Sequence, residues 1–214
     1  PQHGKSEGST RMLPAYMLGI NSSLKIAVAS YNSTFASKFN RDIQRIIDTP
    51  GYHDIFPKTT LNASNVVTVA SNYLRNSNEF EIVNEVGGLK SVGRGGPLTG
   101  SKVDIMVMDD LYKDYMEANS PIIRDSVWDW YTTVVDSRLH NDSQQLIVFT
   151  RWHEEDLIGR LEQKGKVKEI HNFDDIYQPL KHDEWIKINF EAIKQSESTE
   201  LDPRADGEPL WPNR

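Results

Sequence analysis

Apolar residues recur along the chain in two periods. Over 5–18 and 33–47 they fall at helical spacing, and the second segment sets Phe35, Phe39, Ile43 and Ile46/Ile47 on one stripe. The spacing predicts helices there, the second ended by Gly51-Tyr52. "KIAVAS" (25–30) is a short β-rich run and predicts a strand. "VVTVA" and "FEIVNEV", within 65–92, alternate and predict a hairpin or meander. "VDIMVMDD" (103–110) is continuously apolar and ends in two acids, the pattern of a strand buried on both faces of a parallel sheet. Ser120-Pro121 starts a further helix, with Ser as N-cap and Pro at the first helical position. It runs to about Val135 and carries Ile123, Val127, Trp130, Tyr131 and Val134 on one face. "QLIVFT" (145–150) predicts another buried strand. "EEDLIGRLEQKG" (154–165) predicts a helix with acids in its first turn and Lys164-Gly165 at its end. Strands alternating with helices predict an α/β fold with a mostly parallel sheet and flanking helices, one domain over 1–193. Residues 194–214, rich in Pro, Asp, Glu and Ser, predict a linker.

Composition narrows the function classes. With 214 residues the chain has room for one sizeable core or at most two small ones. It has no cysteine, which excludes disulfides, thiolate metal sites and Cys nucleophiles. No run of 18 apolar residues is present, and the first residues lack the pattern of a secretory leader, so neither a membrane span nor a leader is expected. The net charge of −7 makes a general nucleic-acid grip poor unless the positive charges cluster. The six histidines are scattered without ligand spacing, and "WHEED" has Leu157 where a metalloprotease helix needs its second His.

The chemistry sits in three stretches. Gly4-Lys5-Ser6 matches the end of a phosphate-binding loop, in which Gly admits backbone N–H groups to a phosphate, Lys reaches the terminal phosphates and Ser holds Mg²⁺. A helix beginning there points its positive end at the anion. The triplet alone reads more readily as a polar helix start. Asp109-Asp110, about 100 residues on, end a strand at the sheet edge where α/β folds bind ligands; one carboxylate can hold Mg²⁺ and the next can orient water. A buried strand ending in an acidic turn is the plainer alternative. In "LIVFTRW" (146–152), Thr150 at a strand tip can sense a phosphate, whereas Trp152 is expected to fill core.

Together these stretches resemble the ATPase domain of the large terminase subunit, the motor that packages DNA into the procapsids of tailed phages. The similarity is carried by "PQHGKSE", Ala29-Ser30-Tyr31, the Gly-rich "GRGGPLTG" with the acids at 109–110, "SP…R…VWDWY" (120–131), "TRWHEEDLIGRL" (150–161) and "DPRADGEPLWPNR". The resemblance implies a P-loop NTPase fold, with ATP and Mg²⁺ as cofactors. His3, Gly4, Lys5 and Ser6 would bind the nucleotide, and Ser6 and Asp109 the metal. Asp110 would activate water, with Glu117 a rival. Thr150 would couple hydrolysis to movement, and Arg94 would be an arginine finger, with Arg151 competing. It implies double-stranded DNA, a small terminase subunit and a portal as partners, a homo-oligomeric ring, and a place in the host cytoplasm at the procapsid. It also implies a first strand before Pro1 and a nuclease domain after 214, so no nuclease activity is expected from this chain. Two alternatives remain open at this point: a non-catalytic assembly module, and another P-loop ATPase such as a helicase core.

Overall fold

The computed structural model describes residues 4–62, 73–98, 100, 102–165, 167–180 and 184–211. His3, Thr99 and the "VVTVA" run lie outside them. The described chain forms two compact units, Pro1–Asp156 and Leu157–Arg214.

In the first unit a continuous helical run over 5–20 opens with a wide π-helical stretch, Glu7–Met12, and continues as α1 (Leu13–Ile20). Strand β1 (Lys25–Ser30) follows, buried from its second residue on. Helix α2 (Ser33–Ile47) starts where the side chain of Asn32 accepts the Phe35 N–H, and it buries Phe39, Ile43 and Ile47 as its spacing predicted. Pro50-Gly51-Tyr52 does more than end that helix. With Pro at the first turn it begins α3 (Pro50–Ile55), whose Tyr52 donates its hydroxyl to Ala15 O at 2.8 Å.

An antiparallel hairpin joins β2 (Glu79–Glu81), at the start of "FEIVNEV", to β3 (Gly88–Gly93), a run the alternation did not single out, and β4 (Val103–Asp109) is buried along almost all of its length. Short α4 (Tyr115–Asn119) and α5 (Pro121–Trp130) lead into a second π-helical turn, Tyr131–Val135. That turn puts Val135 into the core beside the line of Val127, Trp130 and Tyr131. β5 (Leu139–Val148) completes a sheet of order β2-β3-β1-β4-β5. β1 pairs parallel with β3 and β4, β4 parallel with β5, and only the β2–β3 pair is antiparallel. The chain is therefore α/β with a mostly parallel, helix-flanked sheet.

β5 departs from the buried strand expected at 145–150. It starts six residues earlier and is only half-buried, because it pairs on one side alone among the described residues. The pairing with β4 shifts register between Val103 and Ile105. There His140 Nε2 meets Asp104 Oδ1 at 2.8 Å, and Ser143 Oγ donates to Val103 O at 2.6 Å. The core between sheet and helices gathers Leu18, Val28, Phe39, Ile43, Ile47, Phe80, Leu89 and Val107.

The second unit holds α6 (Leu157–Gln163) and a parallel pair, β6 (Val167–Glu169) and β7 (Trp185–Lys187). The helix is shorter than predicted. Glu154 and Glu155 precede it, in a turn where His153 Nδ1 accepts the Glu155 N–H and His153 O the Asp156 N–H. Residues 194–211 are cross-tied rather than featureless: the buried Lys194 ammonium meets Asp202 at 3.2 Å, Arg204 adds 2.7 Å bonds to the same carboxylate, and Ile193 bridges Pro209. Among the described residues no helix is long and apolar enough to cross a membrane.

Candidate functional site

Three parallel strands bring their carboxyl ends to one edge of the first unit: β1 at Ser30, β4 at Asp109 and β5 at Val148. The helical run over 5–20 begins at the same edge. Gly4 precedes it with φ +77°, a left-handed backbone that suits glycine. Ser6 Oγ then donates to Asp109 Oδ1 at 3.2 Å, and Thr10 Oγ1, one turn on, donates to Asp109 Oδ2 at 2.5 Å. Asp109 is 1% exposed. Burial pushes its carboxyl above the usual range, and the bonds from Thr10 and Ser6 counter this only in part.

Asp110 is left-handed too, at φ +45°, a conformation that aspartate tolerates better than most residues. Its backbone is tied on three sides. The carbonyl accepts from Tyr31 N–H at 3.0 Å and Ser30 Oγ at 3.3 Å, and the N–H donates to Val148 O at 3.1 Å. Burial raises this carboxyl as well, against the opposing charge of Lys5 and a backbone hydrogen bond from Thr150.

These groups line one open cavity of about 410 Å³ with Gly4, Lys5, Glu7, Arg11, Tyr112, Lys113, Phe149, Thr150 and Trp152. Of the residues named from the sequence, Gly4, Lys5, Ser6, Asp109, Asp110 and Thr150 therefore share one space. Arg94 does not line it: its guanidinium donates to Glu117 Oε2 at 2.7 Å and to Leu111 O at 2.9 Å. Glu117 is engaged in that pair and does not line it either, and Arg151 pairs with the buried Asp156 at 2.7 Å. Trp152 corrects the sequence reading. At 40% exposed it is a wall of the cavity rather than core, since the chain has left the sheet by Phe149.

Sequence reasoning missed Thr10. The signal was present, because a residue four after Ser6 on one helix shares its face. It also missed Lys113, which follows the acids in an irregular segment where periodicity says nothing. Chemically, the hydroxyl of Ser6 and the carboxylate of Asp109 are hard oxygen ligands suited to Mg²⁺. Lys5 at the start of the helical run suits an anion.

A family model described as terminase large subunit, T4-like virus type, N-terminal, matches residues 1–213. The chain belongs to this large-terminase family. No curated protein matches the chain. Membership agrees with the sequence resemblance and ties the large-terminase chain to a DNA-packaging assembly.

Proposed function

We propose that this chain is the ATPase part of a packaging motor with a P-loop NTPase fold, binding ATP with Mg²⁺ and hydrolysing it to drive DNA into a procapsid. One observation carries the reading: Ser6 and Thr10 from the helix start converge on Asp109 at a strand end, in a cavity shared with Lys5, Asp110 and Thr150.

The residues fit the metal. Asp109 is a buried carboxylate whose two described partners are hydroxyls, and its charged form is disfavoured without a cation. Ser6 and Asp109 would hold Mg²⁺, which when bound neutralises charge on the terminal phosphates. Gly4 and the N–H groups at the helix start receive the phosphate oxygens, and Lys5 supplies charge beside them. Asp110 lines the same cavity. It orients a water and takes its proton as the water oxygen bonds to the γ-phosphorus, while the bond from phosphorus to the bridging oxygen breaks and ADP leaves. Thr150, whose backbone is bonded to Asp110, links that event to the end of β5. Double-stranded DNA, a small terminase subunit, a portal and a ring of like chains are the partners proposed with this reading.

The test is ATP turnover by the chain and by Lys5→Ala, with and without DNA. Loss of turnover in the variant, with an unchanged circular dichroism spectrum, is expected. Turnover equal to that of the parent chain would sink the assignment.

A further inference from the structure

We propose that Lys113 is a second cation that contacts the bound anion, supplied by the same chain, and that Arg94 and Glu117 are the positioning residues that hold it at the cavity. The ligand, the terminal phosphate of a nucleoside triphosphate, rests on the reading given above.

The argument begins with charge. The cavity is lined by the acids Glu7, Asp109 and Asp110 and by the cations Lys5, Arg11 and Lys113. A triphosphate brings several further negative charges into this space. Arg11 is already engaged: it pairs with Glu7 at 2.5 Å and with Asp42 at 2.9 Å. The ammonium of Lys113, by contrast, makes no hydrogen bond or ion pair with a described residue. It stands three residues after Asp110 and lines the same cavity.

The backbone under Lys113 is held far more firmly than an exposed loop lysine requires. Leu111 and Tyr112, immediately before it, are 0% and 3% exposed. The Lys113 N–H donates to Glu117 Oε2 at 2.9 Å, and the same oxygen takes Arg94 Nη1 at 2.7 Å. Arg94 Nη1 also reaches Leu111 O at 2.9 Å, and the Arg94 N–H donates to Ser30 O at 2.8 Å. A closed set of bonds thus runs from the end of β1 through Arg94 and Glu117 to Lys113. Burial would raise the Glu117 carboxyl, but the bonds from Arg94 and Lys113 prevail and hold it below the usual range, so the clasp stays charged at neutral pH. This arrangement gives Arg94 a role inside its own chain, distinct from that of a finger reaching into a neighbour.

The experiment compares binding of a non-hydrolysable ATP analogue and of ADP, alongside steady-state turnover, for the chain and for Lys113→Ala, Lys113→Arg, Glu117→Gln and Arg94→Ala. Removing a charged contact to the terminal phosphate should weaken analogue binding roughly tenfold or more. ADP binding should stay within about twofold, kcat should fall, and Lys113→Arg should recover part of the loss. Glu117→Gln and Arg94→Ala should lower the same analogue-to-ADP ratio. Adding Lys113→Ala to either should lower it little further, because the three act as one unit. If Lys113→Ala leaves the ratio and kcat unchanged while Lys5→Ala abolishes binding, the Lys113 proposal falls and the triphosphate reading stands. If Lys5→Ala changes nothing, the triphosphate reading itself falls. If mixing Arg94→Ala chains with Asp110→Asn chains restores turnover, Arg94 acts across a boundary and its positioning role is overturned. Glu117→Gln, which keeps an acceptor for the Lys113 N–H, covers the case in which Arg94→Ala does not fold.

Discussion

Thr10 Oγ1 lies 2.5 Å from Asp109 Oδ2, joining the helix start to the end of β4 across 99 positions of sequence. Both groups are buried, so the bond has little competition from water. Thr10→Val keeps the shape and removes the donor, leaving one oxygen of a buried carboxylate without its partner. The expected cost is about 1–3 kcal/mol, read as a lower midpoint in denaturant, and Thr10→Ser should restore most of it. A midpoint unchanged by Thr10→Val would show that the bond contributes nothing.

The two acids at the strand end give a pH dependence of definite sign. Burial holds the folded carboxyls of Asp109 and Asp110 above their ordinary value. The folded state therefore keeps these protons longer than the unfolded chain does. Their contribution to stability is full below the unfolded value of about 3.9 and is lost as pH rises through the folded values. Asp109→Asn should raise the melting temperature at neutral pH and flatten its fall between acid and neutral solution. Melting curves across that range check it, and a variant that melts lower at neutral pH with the same slope contradicts it.

Gly93 and Gly51 make opposite predictions for the same change. A Cβ on Gly93 would stand 2.6 Å from Ser33 N and 2.9 Å from Asn32 C, both backbone atoms that have to move. Gly93→Ala should cost about 1–3 kcal/mol as overpacking at the edge that carries Arg94. A Cβ on Gly51, inside α3, meets nothing within 4 Å, and Gly51→Ala should stabilise by roughly 0.5–1 kcal/mol. Chemical denaturation of the two variants separates the cases.

In the second unit, hydrogen bonds from Arg204, aided by Lys194, hold the Asp202 carboxyl well below the usual carboxylate range. The sign is the reverse of that at Asp109: the stabilisation is present above the unfolded value and is lost as pH falls through the folded one. Asp202→Asn should make residues 190–211 more open to limited proteolysis at neutral pH, and the difference from the parent should shrink in strong acid. Equal cleavage at neutral pH would rule out the tie.

Much of the sheet was legible because its strands are apolar by necessity. β1 and β4 are buried on both faces, and a continuous run such as "IMVM" has few other uses. α2 was legible to the residue, since a helix with one face on the core and one in water writes its period into the sequence. β5 was legible only in its second half. An edge strand needs fewer apolar residues, and "LHNDSQ" carries the pairing of Asp104 with His140 and the shift of register instead. At the site, short motifs pointed to Lys5, Ser6, Asp109, Asp110 and Thr150. The bond of Thr10 and the clasp of Arg94, Glu117 and Lys113 depend on irregular backbone and on distant pairings, which no local pattern encodes.

The π-helical stretch at Glu7–Met12 also sets how the first helix can be counted. Stepping back by fours from Leu18 meets Pro14, Thr10 and Ser6, which run from the core to the site. In an ideal α-helix each step of four overshoots one revolution by about 40°, so three steps would drift about 120° away from the sheet. The wider turns absorb that excess, and a four-residue ladder stays in line from end to end. The helix behaves like a shaft cut with two gear pitches: take one tooth from the wide section, and either Leu18 keeps its seat or Ser6 does, but not both.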